Sequence, residues 1–129
     1  MNKLVNLMPH AFTLLSASGV GRQGANLTAR HTDVIRTIPS AGIARASQAP
    51  AVPAPPVYGI PTTEPVRYGA VVGLPDPDPN GEIGYIVSLV TVSAARAQGR
   101  TLHDLFTPGD LVRDESGQPI GCLSLARHV

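Results

Sequence analysis

Tryptophan is absent from this chain, and three tyrosines and two phenylalanines are its only aromatic residues among 129. A core with so few large rings rests on Val, Ile, Leu and Ala. Such a core buries less area per residue, which favours oligomerisation as a source of further burial. Cysteine is nearly absent as well. Cys122 has no partner, so an internal disulfide is excluded and a reducing cytoplasm is the expected compartment. The opening Met1-Asn2-Lys3-Leu4 lacks the apolar core and small-residue cleavage site of a secretion signal. No apolar run reaches the ~18 residues of a membrane helix, so no membrane partner is expected.

An excess of either charge is also missing, with 10 basic and 9 acidic residues for a formal net charge of +1. No basic run tracks a phosphate backbone and no cations alternate with aromatics, which argues against DNA or RNA as partner. Lysine occurs once, at Lys3; the other basic residues are arginines. Arginine presents a planar fork suited to phosphate or carboxylate, although a GC-rich genome produces the same bias.

What the chain has in quantity is glycine and proline, 13 of each. Its length fits a single domain over 1–129, since domains commonly hold about 100–150 residues. Short elements separated by turns are expected. Strand patterns occur around Pro9 and over 32–38, where Thr32-Asp33-Val34-Ile35 alternates before Pro39-Ser40-Ala41-Gly42. Residues 16–30 read as a glycine-rich hairpin tip. Residues 48–56, with four prolines, read as a stiff extended connector without ladder bonds. Asn80-Gly81 is a strong turn signal before a strand at 82–87.

A helix is expected over 88–98. Ser88 caps it, Leu89, Val92, Ala95 and Arg96 fall on neighbouring positions of one face, and Gly99 stops it. Leu111-Val112 and Ile120-Gly121-Cys122-Leu123 should then pair across Asp114-Glu115-Ser116-Gly117. The expected fold is α+β, an antiparallel sheet of short strands with one or two helices.

Catalytic and metal constellations fail one after another. His10, His31, His103 and His128 have no ligand spacing, and Cys122 lacks a C-x-x-C partner, so no metal or cofactor is expected. Cys122 sits in an apolar run and reads as a small hydrophobe. Gly19-Val20-Gly21-Arg22-Gln23-Gly24 matches G-x-G-x-x-G in letters but no helix opens after it. Asp76 and Asp78 share a rigid proline-rich loop. What remains is Arg45, Arg96 and Arg113 with Tyr85. Tyr85 precedes the helix cap, where free N–H groups can seat an anion, and a tyrosine can stack on a base. The structural alternative places Tyr85 in the core and pairs Arg113 with Asp110 or Asp114.

Asn6-Leu7-Met8-Pro9-His10 resembles the N-L-T-P-H opening of small proteins carried by phages and mobile elements, with Met8 in place of the usual threonine. Ile38-Pro39-Ser40-Ala41-Gly42 with Arg45 resembles their next block. Tyr85-Ile86-Val87-Ser88 and Pro108-Gly109-Asp110-Leu111-Val112-Arg113-Asp114 resemble the last ones. Within that population the chain is similar to the first-described family of Thoeris anti-defence sponges. The resemblance implies a small oligomeric α+β protein in the cytoplasm of an infected bacterium. Such a protein sequesters a cyclic ADP-ribose isomer or a cyclic oligonucleotide and performs no reaction on it. It further implies arginines on phosphates and an aromatic ring on adenine, which makes Arg45, Tyr85, Arg96 and Arg113 candidates for a ligand site between protomers. A structural or assembly protein of a phage is the alternative reading.

Overall fold

The computed structural model of the chain describes residues 1–23, 26–29 and 33–129. Gly24, Ala25, Arg30, His31 and Thr32 lie outside the described residues. With them go the last position of the G-x-G-x-x-G match, one of the four histidines and the first residue of the strand expected at 32–38. The elements, in order, are β1 (Lys3–Asn6), β2 (Phe12–Leu15), β3 (Val20–Gln23), β4 (Asn26–Ala29), β5 (Val34–Ile38), β6 (Pro53–Val57), β7 (Ile60–Thr63), β8 (Ile83–Ile86), helix α1 (Leu89–Ala97), β9 (Leu105–Arg113) and β10 (Pro119–Arg127).

The helix forms where its local signals place it. Ser88 holds an extended backbone and its hydroxyl accepts the Thr91 amide, a cap worth about 1 kcal/mol. At the other end Gly99 takes φ +79. The Gly99 amide donates to Arg96 O and the Arg100 amide to Ala95 O, each at 3.0 Å. This is the paired closure that a left-handed glycine permits after a C-cap. Thr91, Val92, Ala94 and Ala95 form the buried face.

The sheet is mixed rather than antiparallel, which corrects the expected arrangement while leaving the α+β class in place. Eight strands join it in the order β1-β8-β9-β10-β2-β5, with β3 and β4 attached through β9. β1 runs parallel to β8, β8 to β9, and β4 to β9, whereas β9–β10, β2–β5 and β3–β4 are antiparallel. The unit β8–α1–β9 explains one of the parallel pairings, that of β8 with β9. A helix between two strands carries the chain back to the same end of the sheet, so the flanking strands align in parallel.

Two segments depart from their sequence reading. Within the expected tip at 16–30, β3 and β4 pair antiparallel, but β4 also pairs with β9 and so builds them into the sheet. The proline-rich 48–56 stretch is not free of ladder bonds. The Ala49 amide donates to Arg67 O at 2.9 Å, Gln48 bridges Tyr68, and Pro53–Val57 is the first strand of a β6–β7 hairpin.

Side chains opposite each other on paired strands share a face. One row runs Asn6–Ile86–Phe106–Arg127 across β1, β8, β9 and β10. Another runs Cys122–Leu14–Arg36 across β10, β2 and β5, with Phe12 opposite Ile38. Met8, Phe12, Ile86 and Cys122 pack there with Leu4, Leu14, Ile38 and Leu125. On the other face Tyr85, Val87 and Leu105 pack under the helix through Val92 and Ala95. A third cluster, centred on Leu15, Leu27 and Val112, holds the β3–β4 hairpin in place.

The two ends of the strand order meet. Asn6 of β1 bridges Ser40, just beyond β5, and the Ala41 amide donates to Asn6 O at 2.8 Å. The sheet therefore curls into a small barrel around the Ile86 cluster. The buried Asn6 side chain locks this seam. Its amide donates to His10 O (2.9 Å) and Ile38 O (3.0 Å), and its carbonyl accepts the Met8 amide (2.9 Å). Among the described residues no helix is long and apolar enough to cross a membrane.

Candidate anion-binding groove

The four candidates singled out from sequence do not converge. Tyr85 is only 6% exposed and lies in the cluster beneath the helix, so its ring offers no open face to a base within the chain. Arg96, in the last turn of α1, donates to Val129 O at 3.1 Å. Arg113 donates to Gly117 O across the final turn at 2.8 Å. Arg45 is exposed on a segment that bridges Val72. None of the four lines the basic groove, the apolar groove or the hollow at the base of the β6–β7 hairpin.

Three other cations do converge. Asn6 and Ser40 bridge in parallel, so stepping back along both segments brings Arg36 alongside the start of β1. There the seam stays open. A groove of about 330 Å³ results, with Leu4, Phe106 and Leu125 on its wall and Lys3, Arg36 and Arg127 around it. Its size falls at the small end of ligand sites, and barrel mouths are common places for them. The Arg127 guanidinium lies 5.6 Å from the centroid of the Phe106 ring, a cation–π distance. Among the described residues no carboxylate lines the groove. Gly84 keeps it open from below, because a Cβ there would stand 2.8 Å from Phe106 Cε2 and 3.1 Å from Leu4 Cδ2.

Elsewhere the polar side chains are occupied structurally. Arg100 grips Asp104 with two bonds of 2.8 and 2.9 Å. His128 Nε2 and the Thr107 hydroxyl are 2.9 Å apart. Burial pushes the Cys122 thiol above its ordinary value, the opposite of what activates a nucleophile. No group of three or more metal-ligating side chains is assembled among the described residues.

The groove and its barrel are the features to set against known proteins. Comparison with protein-family models, with curated proteins and with solved structures finds no match to this chain.

Proposed function

We propose that the protein binds a small phosphate-bearing ligand of the nucleotide class in the groove of Lys3, Arg36 and Arg127, and holds it without chemistry. The observation that carries this reading is the convergence of three cations on one concave, carboxylate-free site with an apolar wall. Two arginine forks supply charge-assisted bonds to phosphate oxygens. Leu4, Phe106 and Leu125 provide apolar surface for a ribose or base. Among the described residues the groove holds no His, Cys, Ser, Thr or carboxylate, and Lys3 is its one side chain of a type that serves as nucleophile or proton carrier, which favours storage over hydrolysis. The resemblance of the opening and closing blocks to the anti-defence sponges narrows the ligand to a cyclic ADP-ribose isomer or a cyclic oligonucleotide, sequestered as an immune signal during phage infection.

A thermal-shift screen against cyclic ADP-ribose isomers, cyclic di- and trinucleotides and linear ADP-ribose tests this. At ligand a hundredfold above its dissociation constant, binding stabilises by about 2.7 kcal/mol. One cyclic species should raise the midpoint, and Arg36→Ala and Arg127→Ala should each abolish the rise while Arg113→Ala preserves it. Ligand released by denaturation should be chemically unaltered. Absence of any shift, or a shift indifferent to both groove variants, rejects the site. The reading as a structural or assembly protein draws support from the exposed β6–β7 hairpin, and it predicts large particles with no nucleotide affinity.

A further inference from the structure

A nucleotide in the basic groove brings a base as well as a phosphate, and the groove offers no open ring to stack it on. Among the described residues Phe106 is the one aromatic in the lining. It is 7% exposed and lies under the Arg127 guanidinium. The open seam supplies polar groups instead. Successive residues of a paired strand turn their N–H and C=O to opposite edges. On β1 the Lys3 and Leu7 amides donate towards β8, to Glu82 O (3.0 Å) and Ile86 O (2.9 Å), whereas Asn6 O accepts the Ala41 amide across the seam. Leu4 shares the parity of Asn6, so its N–H and C=O both point into the seam. On β5 the Ile38 carbonyl faces the same gap, since it accepts the Asn6 side-chain amide. Among the described residues no ladder joins β1 to β5; beyond the Asn6–Ser40 bridge the two strands part. Leu4 therefore presents a donor beside an acceptor, at a residue that lines the groove.

What such an edge can take is set by its length. The free part of β1 is a single residue, because the Asn2 amide before it donates to Glu82 O (2.9 Å) and Asn6 after it is already bonded. A peptide added as a strand draws its affinity from a row of main-chain bonds, which one residue cannot supply. A planar base needs only one donor–acceptor pair, and single bases are read in this way on their Watson–Crick edge. Backbone N–H and C=O groups commonly fix the orientation of a ligand in an otherwise apolar pocket. We propose that a nucleobase enters the open seam edge-on and pairs with the backbone of Leu4, while its phosphate lies among Lys3, Arg36 and Arg127. Adenine fits the pair: its exocyclic amine donates to Leu4 C=O, and the adjacent ring nitrogen accepts from Leu4 N–H. The inference rests on the nucleotide reading of the groove and adds the means by which the base is recognised.

Isothermal titration of the full chain tests it, with AMP, AMP dimethylated on its exocyclic amine, and ribose 5-phosphate, each up to millimolar concentration. AMP should bind at least about tenfold more tightly than either of the others, the effect of one to two net hydrogen bonds. The 7-deaza analogue, altered on the opposite edge of the base, should bind as AMP does. In the protein, Leu4→Pro removes the seam N–H and leaves the bonds to β8, a change that an edge position tolerates. It should bind AMP about fivefold more weakly than Leu4→Ala, which also loses the leucine side chain but keeps the amide. If Leu4→Pro does not fold, the analogue series decides alone. Dimethylated AMP that binds as AMP does overturns the inference, and so does AMP that binds no better than ribose 5-phosphate. In either case, loss of binding in Arg36→Ala and Arg127→Ala leaves the phosphate site standing. Equal affinities in folded Leu4→Pro and Leu4→Ala overturn the inference too. If neither AMP nor ribose 5-phosphate binds, the site and the inference fall together.

Discussion

Replacing Arg100 should destabilise this protein more than replacing any arginine assigned to ligand, and the size of the effect follows from its surroundings. Its guanidinium bonds both carboxylate oxygens of Asp104 and also donates to Thr101 O (2.8 Å) and Pro75 O (2.9 Å). The side chains of the pair are 15% and 3% exposed. Among the described residues Asp104 has no other side-chain partner, so Arg100→Met leaves a carboxylate buried and unpaired. Breaking one side of a buried pair costs about 3–5 kcal/mol, out of a total stability of roughly 5–15 kcal/mol. Arg100→Lys keeps the charge and loses the fork, and should cost less. The double variant Arg100→Met/Asp104→Leu should recover most of the loss, since exchanging a buried ion pair for apolar groups is often neutral or favourable. Urea unfolding followed by circular dichroism gives all three values. For a slope of about 1–3 kcal/mol per molar, the single variant should move the midpoint down by about one molar or more. A loss under about 1 kcal/mol in Arg100→Met would refute the reasoning, because an orphaned buried charge cannot be that cheap. So would a double variant no more stable than the single one.

Asn6→Ala removes three hydrogen bonds at the barrel seam and should cost about 3 kcal/mol at roughly 1 kcal/mol per bond, read by the same urea titration. Asn6→Asp keeps the acceptor for Met8 but loses both donors, so it should be no better than alanine; a near-neutral result for either would show that the seam is closed by something else. Cys122 should react slowly with a disulfide reagent in the native protein and rapidly once unfolded. Burial raises its thiol from an ordinary 9.0, so the thiolate fraction stays below that of a free thiol until pH climbs past the raised value. Immediate stoichiometric labelling at neutral pH would contradict the burial.

The features readable from sequence were those written in short-range chemistry. Ser88 and Gly99 bracket the helix because a cap and a left-handed glycine act within one turn of chain. The last hairpin was legible for the same reason. Asp114 Oδ1 accepts the Ser116 and Gln118 amides, both at 2.9 Å, and Gly117 sits at φ +83. Pairing between distant segments leaves no such mark. Nothing near Lys3 announces that β1 lies beside β8, and the antiparallel expectation failed there. Thr107-Pro108-Gly109-Asp110 is made of turn-forming residues, yet it belongs to β9. Its turn chemistry survives as a local irregularity, with Asp110 at φ +50 and Gly109 so close to β10 that a Cβ would stand 2.6 Å from Ser124 Oγ.

The groove arginines were missed because their significance lies in strand parity rather than in motif. Arg36 stands two residues before Ile38, and Arg127 two residues after Leu125. Ile38 and Leu125 both face the Ile86 cluster inside the barrel. A period of two therefore carries each inward row one step beyond the apolar core, and there it ends on a cation. Two strands ending their inward rows on a cation at the same mouth is the signal that could have found the site. Arg45, Arg96 and Arg113 show no such continuation. Arg96 and Arg113 are instead spent on backbone carbonyls. The distinction is physical. Both groove arginines are exposed, but Arg127 lies over the Phe106 ring, and that contact leaves its head less side-chain entropy to lose on meeting an anion than a free surface arginine has.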